Sequence, residues 1–514
     1  MMSKLKVGTV LDRASPFRFP FKVEKGLSLP VHEYVTVEIE GRTVLAEVLD
    51  VGARNPLVSE SLGGYVEEWG VERFGYEVAV AEVLGYLDKG RIMRPKYAPK
   101  PNTPVFRADT DILQTFYRGD KDRIPVHLGT LIHRGDVKVP VHLQDLAFHL
   151  GIFAQTRGGK SYLAGALMEG ILLNTHFPVV VIDIHGDYVM MDRIKDDEKG
   201  GEYQHDDFDV VVYYPPGAPR INGVTAEVRE LKISPKQMTN EAVMTLLGHL
   251  GELQSIEVRR ILSQFRERGR PFGLRDVIGE IERRIEDESL RSDERRRLAS
   301  ILLRLEEVEE EVQLPAEETP IQEFLRPKTL SVICLRGLRS RIQDAYTGII
   351  VDLLFKNQVK NYGDVVKAPP TFLFVEEAHR VASANRSTYA SKVISTAIRE
   401  GAKFGLYMCL ISQRPRSIDP DTMANIGNYA VLRITNAQDQ NMIENASESF
   451  SHRLIKDLPA LNQGEAVLVG PFVPLPAIVN VTERRTVHHG TTPDLLSMEM
   501  KIREHIERAR SERW

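Results

Sequence analysis

Six short, almost wholly apolar runs recur between residues 150 and 434: Leu150–Phe153, Pro178–Ile182, Leu330–Leu335, Thr371–Val375, Leu406–Ile411 and Ala430–Ile434. Runs this short, with no alternating polar residue, fit strands covered on both faces, and such strands belong to mostly parallel sheets flanked by helices. From about Val126 the chain alternates strand and helix in that way, so the predicted fold class is α/β. At 514 residues, 42% of them hydrophobic, the chain is too long for one core and has enough apolar material for several, which predicts two to four structural units.

The first 90 residues read differently. Val35, Val37 and Ile39 alternate with polar neighbours, Glu40-Gly41 marks a turn, and Thr43 to Val48 reads as the return strand; together with Glu77 to Leu84 this predicts a small β-barrel or sandwich over residues 1–90. The proline-rich stretch from Arg94 to Pro104 does not suit a central strand and predicts a stiff linker over 91–125. The α/β core is expected over 126–224 and 326–485, interrupted by a charged helical bundle over 225–325. There Leu274, Val277, Ile278, Ile281 and Ile285, then Leu298, Ile301, Leu302, Leu305 and Val308, fall at helical spacing. The Arg/Glu-dense faces of that bundle read as solvated helix surfaces rather than a nucleic-acid patch. Residues 486–514 read as a helical arm of polar majority.

Composition removes several function classes. Cys334 and Cys409 both lie inside apolar runs and read as small buried thiols, with no disulfide framework or cysteine metal site. No run of about 18 apolar residues occurs and the first residues lack a signal-peptide core, which predicts a cytoplasmic, nucleoid-associated protein with no membrane partner. A net charge of -5 gives no overall basic signal, so any contact with nucleic acid has to be local.

Chemistry enters with Ala154-Gln155-Thr156-Arg157-Gly158-Gly159-Lys160-Ser161, which follows an apolar strand and opens a helix, the context a phosphate-binding loop requires. Backbone N–H groups there would cradle the phosphates of ATP, Lys160 would neutralise β/γ charge, and the Ser161 hydroxyl would ligate Mg²⁺. The pattern departs from the usual G-x-x-x-x-G-K-S at its first position, which is Ala154; the bland alternative is a chance Gly-Gly-Lys-Ser at a helix start. Against that alternative stands Thr371-Phe372-Leu373-Phe374-Val375-Glu376-Glu377, an apolar strand ending in two carboxylates, as in a Walker B element. Glu376 reads as the acid that supports Mg²⁺ through water and Glu377 as the base that polarises the attacking water. Ser412-Gln413 ends the strand from Leu406, where Gln413 is a candidate γ-phosphate sensor or else a simple strand-to-loop exit. His185 and His379 lack ligand spacing to further His or Cys and read as hydrogen-bonding groups beside the site rather than metal ligands.

These elements, together with Val181 to Tyr188, the segment Glu376-Glu377-Ala378-His379, the segment Ile398 to Gly405 and Ile411 to Pro415, resemble the HerA family of the HerA/FtsK superfamily in order and spacing. The resemblance covers about Val126 to Val481. It implies a RecA-like ATPase core, a homo-hexamer with ATP sites between protomers, a central channel for DNA, and a partner nuclease similar to NurA in DNA-end resection, repair or defence. It also implies that Asp183 sits beside the nucleotide and that Arg399 is a candidate arginine finger, read blandly a solvated helix residue. Two cations expected of the family are missing, at Phe148 and Ala402, while Arg399 and Lys403 remain and Arg157 has entered the phosphate loop. Arg380, Arg386, Lys392, Arg414 and Arg416 lie near strand ends from which pore-facing loops project and are candidate DNA contacts; surface charge is the alternative for each. The leading expectation is therefore an ATP-driven DNA translocase or helicase. The second is a nucleotide-gated ring scaffold that orders a partner enzyme with weak hydrolysis. A membrane-tethered secretion or conjugation ATPase is disfavoured by the lack of a spanning segment.

Overall fold

In the computed structural model the alternating N-terminal pattern closes on itself. Residues 5–54, 75–119, 122–196, 201–384, 387–447, 450–489, 498–500 and 502–503 are described. Seven strands follow in the spatial order Arg18–Val23, Lys6–Val10, Pro104–Arg107, Tyr34–Ile39, Arg42–Arg54, Tyr76–Asp88 and Arg91–Met93, and Arg18–Val23 also pairs with Tyr76–Asp88, so the sheet is a barrel. Its interior is aliphatic and aromatic: Val7, Val10, Phe19, Phe21, Val35, Val37, Val44, Val48 and Ala81 are all buried. Glu40 (φ 51°) and Gly41 (φ 73°) make the two-residue turn, both in the left-handed region that a tight hairpin needs.

The segment 91–125, expected to be a linker, is instead part of this structure. Arg91–Met93 extends the barrel, Pro104–Arg107 lies between the first and third strands, and Thr110–Arg118 is a helix. Pro104 takes the first position of its strand, where a missing N–H is tolerated, so the prolines before it turn the chain without preventing pairing. The barrel therefore runs to Arg107 and not to residue 90.

Two compact units divide the chain, one of Met1–Asn174, Ile398–Lys403 and Tyr407–Glu483, the other of Thr175–Ala397, Phe404–Leu406 and Arg484–Trp514. Besides the barrel, the first unit holds Leu150–Phe153 paired in parallel with Leu406–Ser412 on one side and Asn428–Val431 on the other. An antiparallel series continues through Glu465–Val469, Ala477–Val481, Pro125–Leu131 and Arg134–His142. The helix Lys160–Asn174 packs on this sheet so closely that a Cβ at Gly170 would lie 2.3 Å from Val126 Cγ1. Leu163, Leu167, Ile171 and Leu172 are wholly buried on it, at about 1.5 to 3 kcal/mol each.

In the second unit five parallel strands stand in the order Glu227–Glu230, Asp209–Tyr214, Thr329–Cys334, Val179–Asp183 and Thr371–Val375. Because Glu227–Glu230 joins the sheet, the helical insertion starts at Asn240 rather than 225. It consists of Asn240–Leu247, Glu252–Glu267, Leu274–Glu286 and Ser292–Glu311, with Thr239 capping the first by accepting from the Ala242 N–H. Val258, Ile261, Leu274, Val277, Ile281, Leu298, Ile301, Leu305 and Val308 form its buried face. Its charges are largely spent on each other, as in Arg284–Glu280 and Arg275–Glu309, pairs that at this exposure contribute little. Most of the arm expected over 486–514 lies outside the described residues; Met498–Met500 and residues 502–503 are helical. Among the described residues no helix is long and apolar enough to cross a membrane.

Candidate active site

The phosphate loop is shaped by what surrounds it within its own unit. Ala154 N–H donates to the Ser412 carbonyl (3.3 Å) and Gln155 N–H to the Arg433 carbonyl (3.0 Å), so the loop leaves the strand held on both sides. It then turns back, with Gly158 N–H donating to the Gln155 carbonyl at 2.9 Å. A Cβ at Gly158 would lie 2.9 Å from both the Ala154 methyl and the Gln155 carbonyl oxygen, so this position accepts only glycine. Gly159 has φ +93°, open to glycine alone at low cost. Ala154 carries no such demand, being absent from the positive-φ positions, and its buried methyl fills the space inside the turn. The departure from the usual first glycine is thus accommodated. Lys160 begins the helix, Ser161 follows it and is buried, and Arg157 adopts φ +63° at the exposed tip.

Gln413 belongs to the same unit and touches this loop: the Thr156 hydroxyl donates to Gln413 Oε1 at 2.7 Å. On the other flank the Thr435 hydroxyl donates to Gln155 Oε1 at 3.1 Å. Thr435 and Arg433 were not among the expected site residues, and only their position in the segment that follows the strand Asn428–Val431 reveals them.

The two acids sit in the second unit. Thr371–Val375 is buried throughout and pairs with Val179–Asp183, Val375 opposite Ile182, and Glu376 N–H extends the ladder to the Ile182 carbonyl at 3.1 Å. Glu376 is fully buried and Glu377 is 3% exposed. Glu377 adopts φ +47°, a left-handed conformation that costs a non-glycine residue roughly 1 to 2 kcal/mol and that clusters at functional sites. Its carboxylate lies between two imidazoles, with Oε1 3.7 Å from His185 Nε2 and Oε2 3.3 Å from His379 Nδ1.

Asp183, expected to lie beside the nucleotide, has its carboxylate engaged in shaping the loop that follows it. Oδ1 accepts the N–H groups of His185 (3.2 Å), Gly186 (2.6 Å) and Asp187 (3.1 Å), and Oδ2 accepts that of Tyr188 (3.0 Å). Burial raises its pKa, as does Asp187, while the backbone donors oppose the rise. Tyr188 is fully buried; burial pushes its hydroxyl well above the usual range, assisted by Glu376, Asp187 and Asp183. The Arg484 guanidinium lies 6.0 Å from the Tyr188 ring centre and is itself buried, donating to Thr486 Oγ1 (2.8 Å) and the Val487 carbonyl (2.9 Å). No local pattern marks Arg484 as part of this surround. Both cysteines are buried, and burial pushes the Cys334 thiol up to about 12, which leaves no thiolate for chemistry.

The candidate cations fare unequally. Arg399 is exposed at the end of Tyr389–Glu400, one residue beyond the Ile398 carbonyl that accepts from His149 Nε2 (2.7 Å). Phe148 is 53% exposed. Lys392 is paired with Glu241, Arg416 with Asp439 and Gln438, and Arg380 donates to Gln343 Oε1 at 3.4 Å. Arg414 is exposed after the strand Leu406–Ser412; Arg386 lies outside the described residues.

Residues 126–354 match the family model described as helicase HerA, central domain. The DNA double-strand break repair helicase HerA of Pyrococcus furiosus is 25% identical over 529 residues, 92% of either chain. That of Saccharolobus solfataricus is 25% identical over 97% of this chain and 96% of its own. A probable helicase of Methanocaldococcus jannaschii is 27% identical over 79% of this chain and 76% of its own.

Proposed function

We propose that this chain is a member of the HerA family and an ATP-driven DNA translocase or helicase that works as a homo-hexameric ring, a reading supported by the match of residues 126–354 to the helicase HerA central domain and by relatives named HerA. The contact between Thr156 of the phosphate loop and Gln413 at 2.7 Å carries the reading, since it places a polar amide at the end of the neighbouring strand against the loop. In this reading the loop from Ala154 to Ser161 holds the triphosphate, with Lys160 on the β/γ oxygens and Ser161 on Mg²⁺. Glu376 supports the ion through water, and Mg²⁺ supplies neutralisation of charge on the phosphates. Glu377 takes the proton of a water whose oxygen attacks the γ-phosphorus as the bond to the bridging oxygen breaks, giving ADP and phosphate. Gln413 senses the γ-phosphate, Arg399 reaches a neighbouring protomer's site, and Asp183 acts from behind through the loop it caps.

A DNA path needs few cations per subunit when symmetry multiplies them. Arg414 heads the candidates, while Arg380, Lys392 and Arg416 have to exchange their present partners. A nuclease similar to NurA is the proposed partner, in DNA-end resection, repair or defence.

ATP hydrolysis measured with and without linear duplex DNA tests this, comparing the unmodified chain with Lys160→Ala and Glu377→Gln while the assembly mass is recorded. A DNA-stimulated rate lost in both variants, from a ring-sized particle, is the expected result. The second reading, a nucleotide-gated scaffold, draws on the non-basic residues at Phe148 and Ala402. Assembly and nucleotide binding with negligible turnover on every DNA would favour it and sink the motor.

A further inference from the structure

We propose that His185 is a positioning residue for Glu377, held in place by Asp183, and that His379 serves the opposite oxygen of the same carboxylate. The inference rests on the ATPase reading above and deepens it. A carboxylate that is to take a proton from water must present a lone pair in one direction, yet a glutamate side chain has three rotatable bonds. Here both oxygens face an imidazole nitrogen, Oε1 toward His185 at 3.7 Å and Oε2 toward His379 at 3.3 Å. Two supports on different oxygens fix the plane of the group. Each carboxylate oxygen has two lone pairs, so an imidazole beside an oxygen does not by itself exhaust it. Distances somewhat beyond a tight hydrogen bond are ordinary before substrate is present and shorten in the reacting complex.

The two supports differ in origin. His379 is two residues beyond Glu377, at the start of the same short helix, so it moves with its charge. His185 comes from a separate strand end and needs its own anchor, which Asp183 supplies by accepting four successive N–H groups from His185 to Tyr188. This accounts for a fully buried aspartate, expected to sit beside the nucleotide, turning its carboxylate to backbone N–H groups. The imidazole of His185 is half exposed, so its presence there is not a packing requirement.

Steady-state ATP hydrolysis by the full chain tests the assignment, using His185→Ala, His185→Gln and Lys160→Ala, with binding of Mg²⁺ and a fluorescent ADP analogue measured alongside. Glutamine places an amide nitrogen near the position of imidazole Nε2. In His185→Ala we expect kcat to fall about tenfold to hundredfold, as for a displacement of about 1 Å in a reacting group, with KM and ADP affinity within about twofold of the unmodified chain. His185→Gln should recover most of the loss. An alanine variant with unchanged kcat, one in which ADP affinity falls together with kcat, or a glutamine variant no better than alanine would each overturn the assignment while leaving the ATPase intact. An unmodified chain without turnover, or Lys160→Ala hydrolysing at the unmodified rate, removes the ATPase reading and this one with it.

Discussion

Ala154 shows how a single methyl can substitute for an expected glycine. Its backbone needs no positive φ and its Cβ lies inside the turn, where a Cβ at Gly158 would meet it at 2.9 Å. Ala154→Gly should therefore leave nucleotide affinity within about twofold, whereas Gly158→Ala forces overpacking of roughly 1 to 3 kcal/mol, about fivefold to 150-fold in affinity by titration with a fluorescent ADP analogue. Two buried groups give opposite pH signatures. His149 accepts the Met408 N–H at Nδ1 and donates from Nε2 to Ile398, and burial lowers its pKa from 6.5 to about 4. The unfolded chain takes up the proton first, so the stability its neutral form contributes is complete above about pH 6.5 and is lost as pH falls toward 4. His149→Gln should flatten the acid limb of the thermal midpoint against pH. Asp344, raised by burial to about 6, is protonated in the fold before it is in the unfolded chain, so stability falls as pH rises from 3.8 through 6. Asp344→Asn should raise the midpoint near pH 8 and not near pH 4; equal shifts at both would remove the linkage.

At the scale of elements, the local pattern identified what is locally determined. The runs at Leu150–Phe153 and Thr371–Val375 are strands with the expected bounds, and the helical spacing of Leu298, Ile301 and Leu305 marks a buried face. Pro104–Arg107 and Glu227–Glu230 escaped because each is a four-residue strand, the first introduced by proline and paired with strands far away in sequence, the second made almost wholly of charged residues and paired with Asp209–Tyr214. In the bundle, Ile301 is fully buried, so Ile301→Ala should cost about 2 to 5 kcal/mol, read as a lower urea midpoint. An unchanged midpoint would mean that the bundle unfolds independently of the transition observed. Gly348 stands on the helix Ser340–Lys360 where a Cβ would lie 2.5 Å from the Tyr389 ring. Gly348→Val should separate that helix from the start of Tyr389–Glu400 and lower turnover together with stability.

For the molecule as a whole, the site was legible as residue types and not as geometry. Lys160, Ser161, Glu376, Glu377 and Gln413 could be named because strand ends and glycine turns leave a local trace. The work of Asp183, and the involvement of Thr435 and Arg484, depends on neighbours brought together by folding. If DNA runs along Arg414, Arg414→Ala should reduce the slope of log affinity against log salt by about 1 for each subunit engaged, at unchanged ring mass; an unaltered slope excludes that residue from the path. The segment after Glu483 bears on the order in which the protein comes into being. Val487 N–H donates to the Arg193 carbonyl, Lys195 N–H to that of Arg485, and Arg484 lies by Tyr188, so the loop bearing His185 is bordered by residues translated more than 300 positions after Lys160. Domains fold as units while synthesis proceeds, N-terminal parts first. On the ribosome, then, neither motif is finished when its own residues emerge: the strand before Lys160 waits for Leu406–Ser412 and Asn428–Val431, and the loop bearing His185 waits for the segment from Arg484.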